Sequence, residues 1–133
     1  MSNFDKVQGY ILELGYDLVE AMREDNILIL NNEEKGIYNM VLDCEGDVLV
    51  LEQIIMKVEG DNPETYKKLL QINRNLVHGA FVADTLGETI LFRDTLELEN
   101  LDLNELEGSI NSLALGLLEY MDDLLAMAPK AEA

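Results

Sequence analysis

The sequence has no tryptophan, a single cysteine, a single histidine and two prolines among its 133 residues. Because Cys44 has no partner within the chain, an intrachain disulfide is excluded, and we expect the protein to work in a reducing, cytoplasmic compartment. His78 has no serine or cysteine nucleophile motif beside it, so the pattern expected of nucleophilic catalysis is missing. We therefore predict that the protein is not an enzyme.

The sequence also lacks the motifs that hold nucleotides, cofactors and metals. It contains neither G-x-x-x-x-G-K-[ST] nor G-x-G-x-x-G, the glycine-rich loops that cradle phosphate groups. The acidic segment from Asp43 to Asp47 offers carboxylate oxygens, but it is shorter than the loop of about twelve residues that an EF-hand calcium site requires. We expect no cofactor and no metal site.

Positive charge is scarce as well. Lysine and arginine together number 9 against 27 aspartates and glutamates, which gives a net charge of −18. Such a surface repels nucleic acid and anionic membranes, so we expect neither as a partner, and it favours basic partners. Hydrophobic residues make up 48% of the chain, too many for a disordered acidic protein. The sequence leaves open whether the acidic surface is a docking site or only keeps the protein soluble.

Long apolar segments are absent too. Nowhere do about 18 apolar residues follow one another, as a transmembrane helix requires. The N-terminal segment acquires acidic residues at once and has no basic region followed by an apolar stretch, so it does not match a secretory signal peptide. Both observations agree with a cytoplasmic location.

What the sequence does contain is a hairpin pattern from Ile37 to Val58, IYNMVLDCEGDVLVLEQIIMKV. Gly46 lies within a short acidic segment and tolerates positive φ, which favours a turn between two strands. The second strand is apolar without alternation at Val48 to Leu51 and again at Ile54 to Met56, so both of its faces need cover. We expect helices of the same chain to cover one face, and a second layer, a subunit or a client protein to cover the other.

The chain on either side of this hairpin predicts helices and one more strand. Apolar residues three or four positions apart predict a first helix from Asn3 to about Arg23. The segment from Ile27 to Leu30 predicts a short strand that completes a meander with the hairpin. Asn62 and Pro63 fit the cap and the first residue of a second helix, which we expect to end near His78.

The last third of the chain predicts a second hairpin and a long helix. The hairpin consists of Ala80 to Ala83 and Thr89 to Phe92, with the second strand continuing beyond Phe92. Asp102 and Glu105 resemble a capping box that opens a final helix of about 25 residues. We expect the inner side of this helix to be lined by apolar residues as far as Leu125.

Together these patterns predict one α+β domain over residues 1–128, followed by a frayed tail at 129–133. The predicted order of elements is α-β-β-β-α-β-β-α. In this fold an antiparallel, twisted sheet has helices packed on it.

This order of elements resembles the type III secretion chaperone-like superfamily, which includes the CesT-type chaperones and the YbjN-like proteins. The resemblance covers about residues 3–127 and is carried mainly by the passage LLQINRNLVHGAFVADTLGETILFRDTLELENLDLNELEGSINSLALGLLEYMDDLL. There a helix ending in Leu-Leu-x-x-Asn leads into a strand pair and then into a D-x-x-E helix start. The resemblance implies a small acidic homodimer that binds extended, partly unfolded segments of a client protein, without nucleotide and without catalysis.

The resemblance also implies where the contacts lie. In this superfamily the second helix and neighbouring strands form the dimer contact, and the first helix with the first three strands offers apolar grooves to the client. On this chain the implied dimer interface involves Tyr66, Leu69, Leu70 and Asn73. The implied client-binding groove involves Val7, Ile11, Leu14, Ile27, Ile29, Val48 and Val50. The alternative is a YbjN-like regulatory or adaptor protein that binds one folded partner.

Overall fold

The computed structural model describes residues 2–59 and 61–129, in which the chain forms three α-helices and six strands. In chain order these are α1 (Asn3–Glu13), β1 (Asp17–Met22), β2 (Ile27–Asn32), β3 (Ile37–Glu45), β4 (Val48–Lys57), α2 (Pro63–Asn73), β5 (Ala80–Ala83), β6 (Thr89–Glu97) and α3 (Leu103–Met127). The tail expected at 129–133 lies, apart from Pro129, outside the described residues.

The six strands form a single antiparallel sheet in the order β1-β2-β3-β4-β6-β5. The first four strands are a meander, and β6 then pairs with β4, which leaves β5 and β1 at the two edges. The predicted α+β class with an antiparallel sheet is confirmed. The sheet has one more strand than the sequence predicted, and the additional strand is β1.

The extra strand arises because the first helix is shorter than predicted. α1 ends at Glu13, and Gly15 then adopts a φ of 78°. The amide of Gly15 donates to the Leu12 carbonyl over 3.1 Å and the amide of Tyr16 donates to the Ile11 carbonyl over 3.2 Å, as in a Schellman helix ending. The prediction of a helix to Arg23 is therefore wrong beyond Glu13.

The helix starts were predicted correctly, but a second helix end, that of α2, was not. The side chains of Ser2, Asn62 and Asp102 accept hydrogen bonds from backbone amides of the first turns, and Asp102 forms the complete capping box with Glu105. α2 ends at Asn73, well before the predicted end near His78. The His78 amide instead donates to the hydroxyl of Ser112 in α3 over 3.0 Å. The prediction that the second helix ends near His78 is therefore wrong.

The central hairpin is confirmed, with a turn of two residues. Glu45 of β3 lies opposite Val48 of β4, and Gly46 in the turn has a φ of 58° that suits glycine. Along β4, side chains alternate between the two faces of the sheet. Leu49 and Leu51 are fully buried, whereas Ile54 is exposed.

One face of the sheet is covered by all three helices. The buried side chains of these helices join one hydrophobic cluster with the strand residues whose side chains point to the same side. Its strand members include Leu28, Leu30, Met40, Leu42, Cys44, Leu49, Leu51, Phe81, Ile90 and Phe92, and its helix members include Phe4, Val7, Ile11, Leu69, Ile72, Leu106, Ile110, Leu113, Leu117 and Leu124. We call this side the covered face.

Candidate functional site

The opposite side of the sheet, the open face, carries apolar side chains that no described helix covers. Strand register places Ile29, Val41, Glu52 and Arg93 in one row across β2, β3, β4 and β6. The apolar residues of this face include Met22, Ile27, Ile29, Val41, Val48, Val50, Ile54, Val82 and Leu91. None of them belongs to the core cluster of the covered face. The open face is therefore an apolar surface within the described part of the chain that lacks a second layer.

The exposure of these side chains varies with their neighbours on the same face. Val50 is only 7% exposed, although no element lies above it, because adjacent strands surround it. Ile54 is 70% exposed and Val48 is 37% exposed. A patch of this kind on a monomer surface is typical of an interaction site.

A shallow depression of about 470 Å³ lies on the open face where β3 begins. It is lined by Tyr38, Asn39, Val41, Glu52, Ile54 and Leu91. Here β3 leaves the regular ladder, because Asn39 has a φ of 51° and its amide donates to the Asn31 side chain over 2.6 Å. The buried Gln53 side chain replaces ladder hydrogen bonds by accepting from the Tyr38 amide over 3.1 Å. The irregular start of β3 thus forms one wall of the depression.

A second depression continues from the first around the end of the sheet. Tyr38 and Ile54 line both, and the second one also includes Met121 and Leu125 of α3. Met121 is 42% exposed and Leu125 is 64% exposed, so the expectation that apolar residues as far as Leu125 line the inner side of the helix is wrong for these two. We call the continuous surface the apolar track, formed by Tyr38, Val41, Ile54, Leu91, Met121 and Leu125.

The other end of the open face is acidic. Glu45 and Glu97 lie on either side of Val48, and Asp43 lies opposite Val50. Burial raises the pKa of the Asp43 carboxyl, and the hydrogen bond and negative charge of Glu45 raise it further. Among the described residues, no lysine or arginine forms a salt bridge with these three carboxylates. We call Asp43, Glu45 and Glu97 the acidic end.

Glu52 is the one open-face carboxylate with a basic partner in the described residues. Its Oε1 atom lies 2.7 Å from Nη1 of Arg93 on the neighbouring strand. Both side chains are partly exposed, so the pair contributes about 0.2–1 kcal/mol at most. The Glu52–Arg93 pair lies between Ile54 of the apolar track and the acidic end.

The structure divides the residues implied as a client groove between the two faces of the sheet. Ile27, Ile29, Val48 and Val50 lie together on the open face. The remaining three lie on the covered side, where Val7 and Ile11 of α1 are fully buried and Leu14 packs against the same core. The seven residues therefore do not form one surface.

Of the residues implied as a dimer interface, only Leu70 has a largely exposed side chain, at 70%. Leu69 is buried in the core. The Asn73 side chain accepts from the amide of Phe81 over 2.7 Å and donates to its carbonyl over 3.0 Å, and Tyr66 donates to the carbonyl of Gly87 over 2.6 Å. These two polar side chains hold β5 and the following turn against α2.

The described part of the chain has neither a cluster of metal-binding side chains nor a membrane-spanning helix. Within residues 2–59 and 61–129, no group of three or more His, Cys, Asp or Glu side chains is arranged to hold a metal ion. No helix in that part of the chain is long and apolar enough to cross a membrane. Cys44 is a free, buried thiol at the end of β3, and burial raises its pKa, so it is packed in the core as a small apolar residue.

Comparison with protein families gives a match over nearly the whole chain. The family model CesT_Tir_1 matches residues 1–130. The chain belongs to this family. Comparison with curated proteins gives no match.

Solved structures with the same fold include chaperones of type III secretion. The chain is similar to YbjN from E. coli, with a TM-score of 0.69, 13% identity and coverage of 91% of this chain and 92% of that one. It is also similar to SchA of the HopA1-SchA chaperone-effector complex, with a TM-score of 0.59, 19% identity and coverage of 92% and 94%. The Yersinia pestis type III secretion chaperone SycH, in complex with a stable fragment of YscM2, gives a TM-score of 0.52, 15% identity and coverage of 96% and 100%.

At such low identity these structures establish the fold alone. Membership of the CesT_Tir_1 family supports a protein-binding, chaperone-like role.

Sequence reasoning missed the residues of the apolar track. Ile54 stood out only as part of an apolar run, and the pattern around Tyr38 gave no sign that β3 begins irregularly. A usable signal was the pair Asn31 and Asn39, because asparagine is enriched at positive φ and in local hydrogen bonds to the backbone. The exposure of Leu125 follows from where α3 ends relative to the sheet, which periodicity does not encode.

Proposed function

We propose that the protein is a non-enzymatic, dimeric, chaperone-like protein that holds an extended apolar segment of a client protein along the apolar track. The observation that carries this proposal is the continuity of the track. Two depressions meet at Tyr38 and Ile54, and together they run from the open face to the exposed side of α3.

The shape of the track favours an extended segment over a folded one. The first depression lies on the open face, and the second reaches α3, which packs on the covered face. A client must therefore change direction around the end of the sheet. An extended chain can follow this bend, whereas a rigid helix requires a straight groove.

The energetics also favour a continuous surface. Removing apolar surface from water contributes about 25 cal/mol per Å², so covering one largely exposed side chain such as Ile54 contributes about 1 kcal/mol. Ordering a disordered segment costs about 2–5 kcal/mol or more, so several such contacts are needed at once. The track offers Tyr38, Met121 and Leu125 in addition to Ile54.

The proposal is tested by titrating the protein with a fluorescently labelled, unstructured peptide of alternating valine and glutamine, followed by anisotropy. We expect Ile54→Glu to weaken binding about tenfold or more, equivalent to about 1.4 kcal/mol, because the client segment then covers a charged group. The matched control is Leu86→Glu, the same kind of change at an exposed leucine in the turn between β5 and β6, away from the track. Equal affinities for wild type and Ile54→Glu would count against the track.

The proposed homodimer uses the exposed side of α2. Leu70 is the one residue of the implied interface with a largely exposed side chain, so Leu70→Asp should convert a dimer into a monomer in light scattering at micromolar concentration. Leu12→Asp on α1, at a similarly exposed leucine, serves as the control and should remain dimeric. A wild-type protein that is monomeric throughout would remove the dimer and leave the client track as a separate proposal.

A second candidate function, an adaptor that binds one folded partner, is favoured by a different surface. A cleft between α3 and the segment after α2 is lined by Val77, Leu115 and Leu118, and Leu118 is 82% exposed. Pull-downs from the host lysate with wild type, Ile54→Glu and Leu118→Glu distinguish the two functions. Loss of a folded partner in Leu118→Glu alone supports the adaptor, and loss of unfolded or extended clients in Ile54→Glu alone supports the chaperone.

A further inference from the structure

The open face combines apolar and acidic groups in a way that specifies the chemistry of its occupant. We propose that it binds an extended segment of another protein in which lysine or arginine side chains stand next to apolar ones, with the cations lying at Asp43, Glu45 and Glu97. The inference rests on the proposed function and adds to it the composition of the client segment.

The acidic end lies next to the apolar side chains of β4. Its three carboxylates surround Val48 and Val50 on the same face of the sheet, so a segment that covers these valines necessarily comes close to the carboxylates. Residues directly opposite each other in a sheet have Cβ atoms about 4.5–5.5 Å apart. A client side chain over Val48 therefore lies within reach of Glu45 on one side and Glu97 on the other.

Within the described residues, these three carboxylates have no salt bridge to a lysine or arginine. Asp43 and Glu45 lie two positions apart on the same face of β3 and repel each other when both are ionised, which is consistent with the raised pKa of Asp43. The described lysines and arginines form salt bridges only with Asp5, Asp123 and Glu52. A cationic side chain of the client supplies the missing positive charge. An apolar or acidic side chain displaces the water that hydrates the carboxylates and leaves the repulsion between Asp43 and Glu45 in place.

The charge of the open face disfavours a second copy of this chain as the occupant. In a two-fold symmetric contact each copy presents the same patch, so the open face meets its own carboxylates. The acidic residues that the strand register places on this face are Asp17, Glu20, Asp43, Glu45, Glu52 and Glu97, against Lys57 and Arg93 as cations. With a net charge of −18 on each chain, such a contact brings together like charges both locally and overall.

The spacing of the face also suits an extended segment. Val48, Val50, Glu52 and Ile54 follow one another at every second position of β4. Alternate residues of a strand repeat at about 6.6–6.8 Å, so alternate side chains of an extended client match this spacing. A segment with a cation over the acidic end can therefore place apolar side chains over Val50 and Ile54.

The test uses the alternating valine–glutamine peptide with one terminal valine replaced by lysine, glutamine or glutamate, so that the replaced residue and the remaining valines point to the same side of an extended chain. We expect the lysine peptide to bind about tenfold more tightly than the glutamine peptide at low salt, and the glutamate peptide to bind most weakly. Raising the ionic strength should reduce the difference between the lysine and glutamine peptides, because the acidic end is partly exposed to solvent.

The decisive comparison uses two variants with equal net charge. In Asp43→Asn/Glu45→Gln/Glu97→Gln the lysine peptide should lose about tenfold in affinity while the glutamine peptide is unaffected. The control Glu13→Gln/Glu24→Gln/Glu119→Gln removes the same charge from exposed positions elsewhere and should keep the preference for lysine. Thermal unfolding checks that both variants are folded, which we expect because the changes are isosteric and relieve repulsion.

The possible results separate this inference from the function on which it rests. Equal binding of the lysine and glutamine peptides, or an equal loss in both variants, overturns the inference and leaves a purely apolar client site. No binding of any peptide overturns both. A dimeric wild type that becomes monomeric in Ile54→Glu shows that a second copy occupies the open face, and also overturns the inference.

Discussion

The two faces of β4 are similarly apolar in sequence and differ completely in their surroundings. On the covered face, Leu49 and Leu51 are fully buried beneath helices. On the open face, Val48 and Ile54 are exposed, and Val50 is shielded only by its neighbours in the sheet. The covered face therefore holds the contacts that stabilise the monomer. The open face keeps apolar surface that contributes little to folding and is free for binding.

The largest expected effect is at the centre of the covered face. Leu51→Ala should lower the free energy of unfolding by about 2–5 kcal/mol, because it leaves a cavity in a fully packed core. Ile54→Ala, three positions along the same strand but exposed, should change it by no more than about 0.5 kcal/mol. Urea denaturation of both variants, with equal m-values as a check on the two-state assumption, measures the difference.

The expected difference between the two faces is wrong if Leu51→Ala and Ile54→Ala lower the free energy of unfolding by the same amount. Comparable losses would mean that Ile54 is covered in solution, and the dependence of stability on protein concentration would then show whether another copy covers it.

The next effect concerns how closely the covered face is packed. Gly79 has a φ of 70°, and a Cβ atom there would lie 2.5 Å from Cζ of Phe92 and 2.9 Å from the Arg93 carbonyl oxygen. Phe92 is fully buried and contacts Phe81 edge to face, with ring centroids 6.1 Å apart, so its ring has little room to move. We expect Gly79→Ala to destabilise the protein by about 2–4 kcal/mol.

Gly15→Ala is the matched control for this effect. Gly15 has a similar φ of 78°, but no heavy atom lies within 4 Å of the added Cβ. The control therefore isolates the backbone term, about 1–2 kcal/mol. Equal losses in thermal unfolding of the two variants would show that the ring of Phe92 can move aside after all.

A smaller effect is expected where the covered face includes a polar contact. The hydroxyl of Ser109 in α3 is fully buried and donates to Oδ2 of Asp94 in β6 over 2.7 Å. Ser109→Ala should cost about 1–3 kcal/mol, because the carboxylate loses a donor in partly buried surroundings. Thr95→Ala, the next residue of β6 but on the open face, should cost about 0.5 kcal/mol or less. Similar losses in chemical denaturation would contradict the difference between the faces.

The sequence predicted the fold to the extent that its signals are local. Asn62, Pro63 and Asp102 mark helix starts through hydrogen bonds within one turn, and the structure confirms them. Gly15 gives an equally local signal for the end of α1, but the spacing of Leu18 and Met22 also fits a helix, and the periodic pattern was followed too far. Periodicity alone does not distinguish a helix from a strand with a bulge, and β1 carries a bulge between Leu18 and Glu20.

The candidate site could be predicted only in part, because it depends on which face of the sheet the helices cover. The pattern of β4 indicated two apolar faces, and the structure agrees that helices of the chain cover only one of them. The local sequence does not indicate that Val7 of α1 points into the core whereas Ile29 of β2 lies on the opposite face of the sheet. That assignment follows from sheet register and from the position of α1, both of which are set by contacts between distant parts of the chain.

The smallest effect concerns the charge at the acidic end. The pKa of Asp43 is raised in the folded state, so on acidification the folded protein binds a proton at this carboxyl group at a higher pH than the unfolded chain does. Protonation of Asp43 therefore increases the free energy of unfolding as the pH falls from above the folded-state pKa to the ordinary pKa of aspartate. At neutral pH the folded state instead carries the repulsion between Asp43 and Glu45. Asp43→Asn should therefore stabilise the protein at pH 7, by about 0.3–1 kcal/mol since the group is partly exposed, and the gain should shrink on acidification.

The measurement is the difference in free energy of unfolding between Asp43→Asn and wild type from pH 7 down to pH 4, because other carboxylates titrate in the same range and cancel in the difference. Asp84, whose pKa is lowered by hydrogen bonds from the amides of Thr89 and Glu88, provides a control of opposite sign. Asp84→Asn should destabilise the protein at pH 7, and this loss should shrink as the pH falls. A lysine-containing client should in turn reduce the advantage of Asp43→Asn, because a bound cation relieves the same repulsion that the substitution removes.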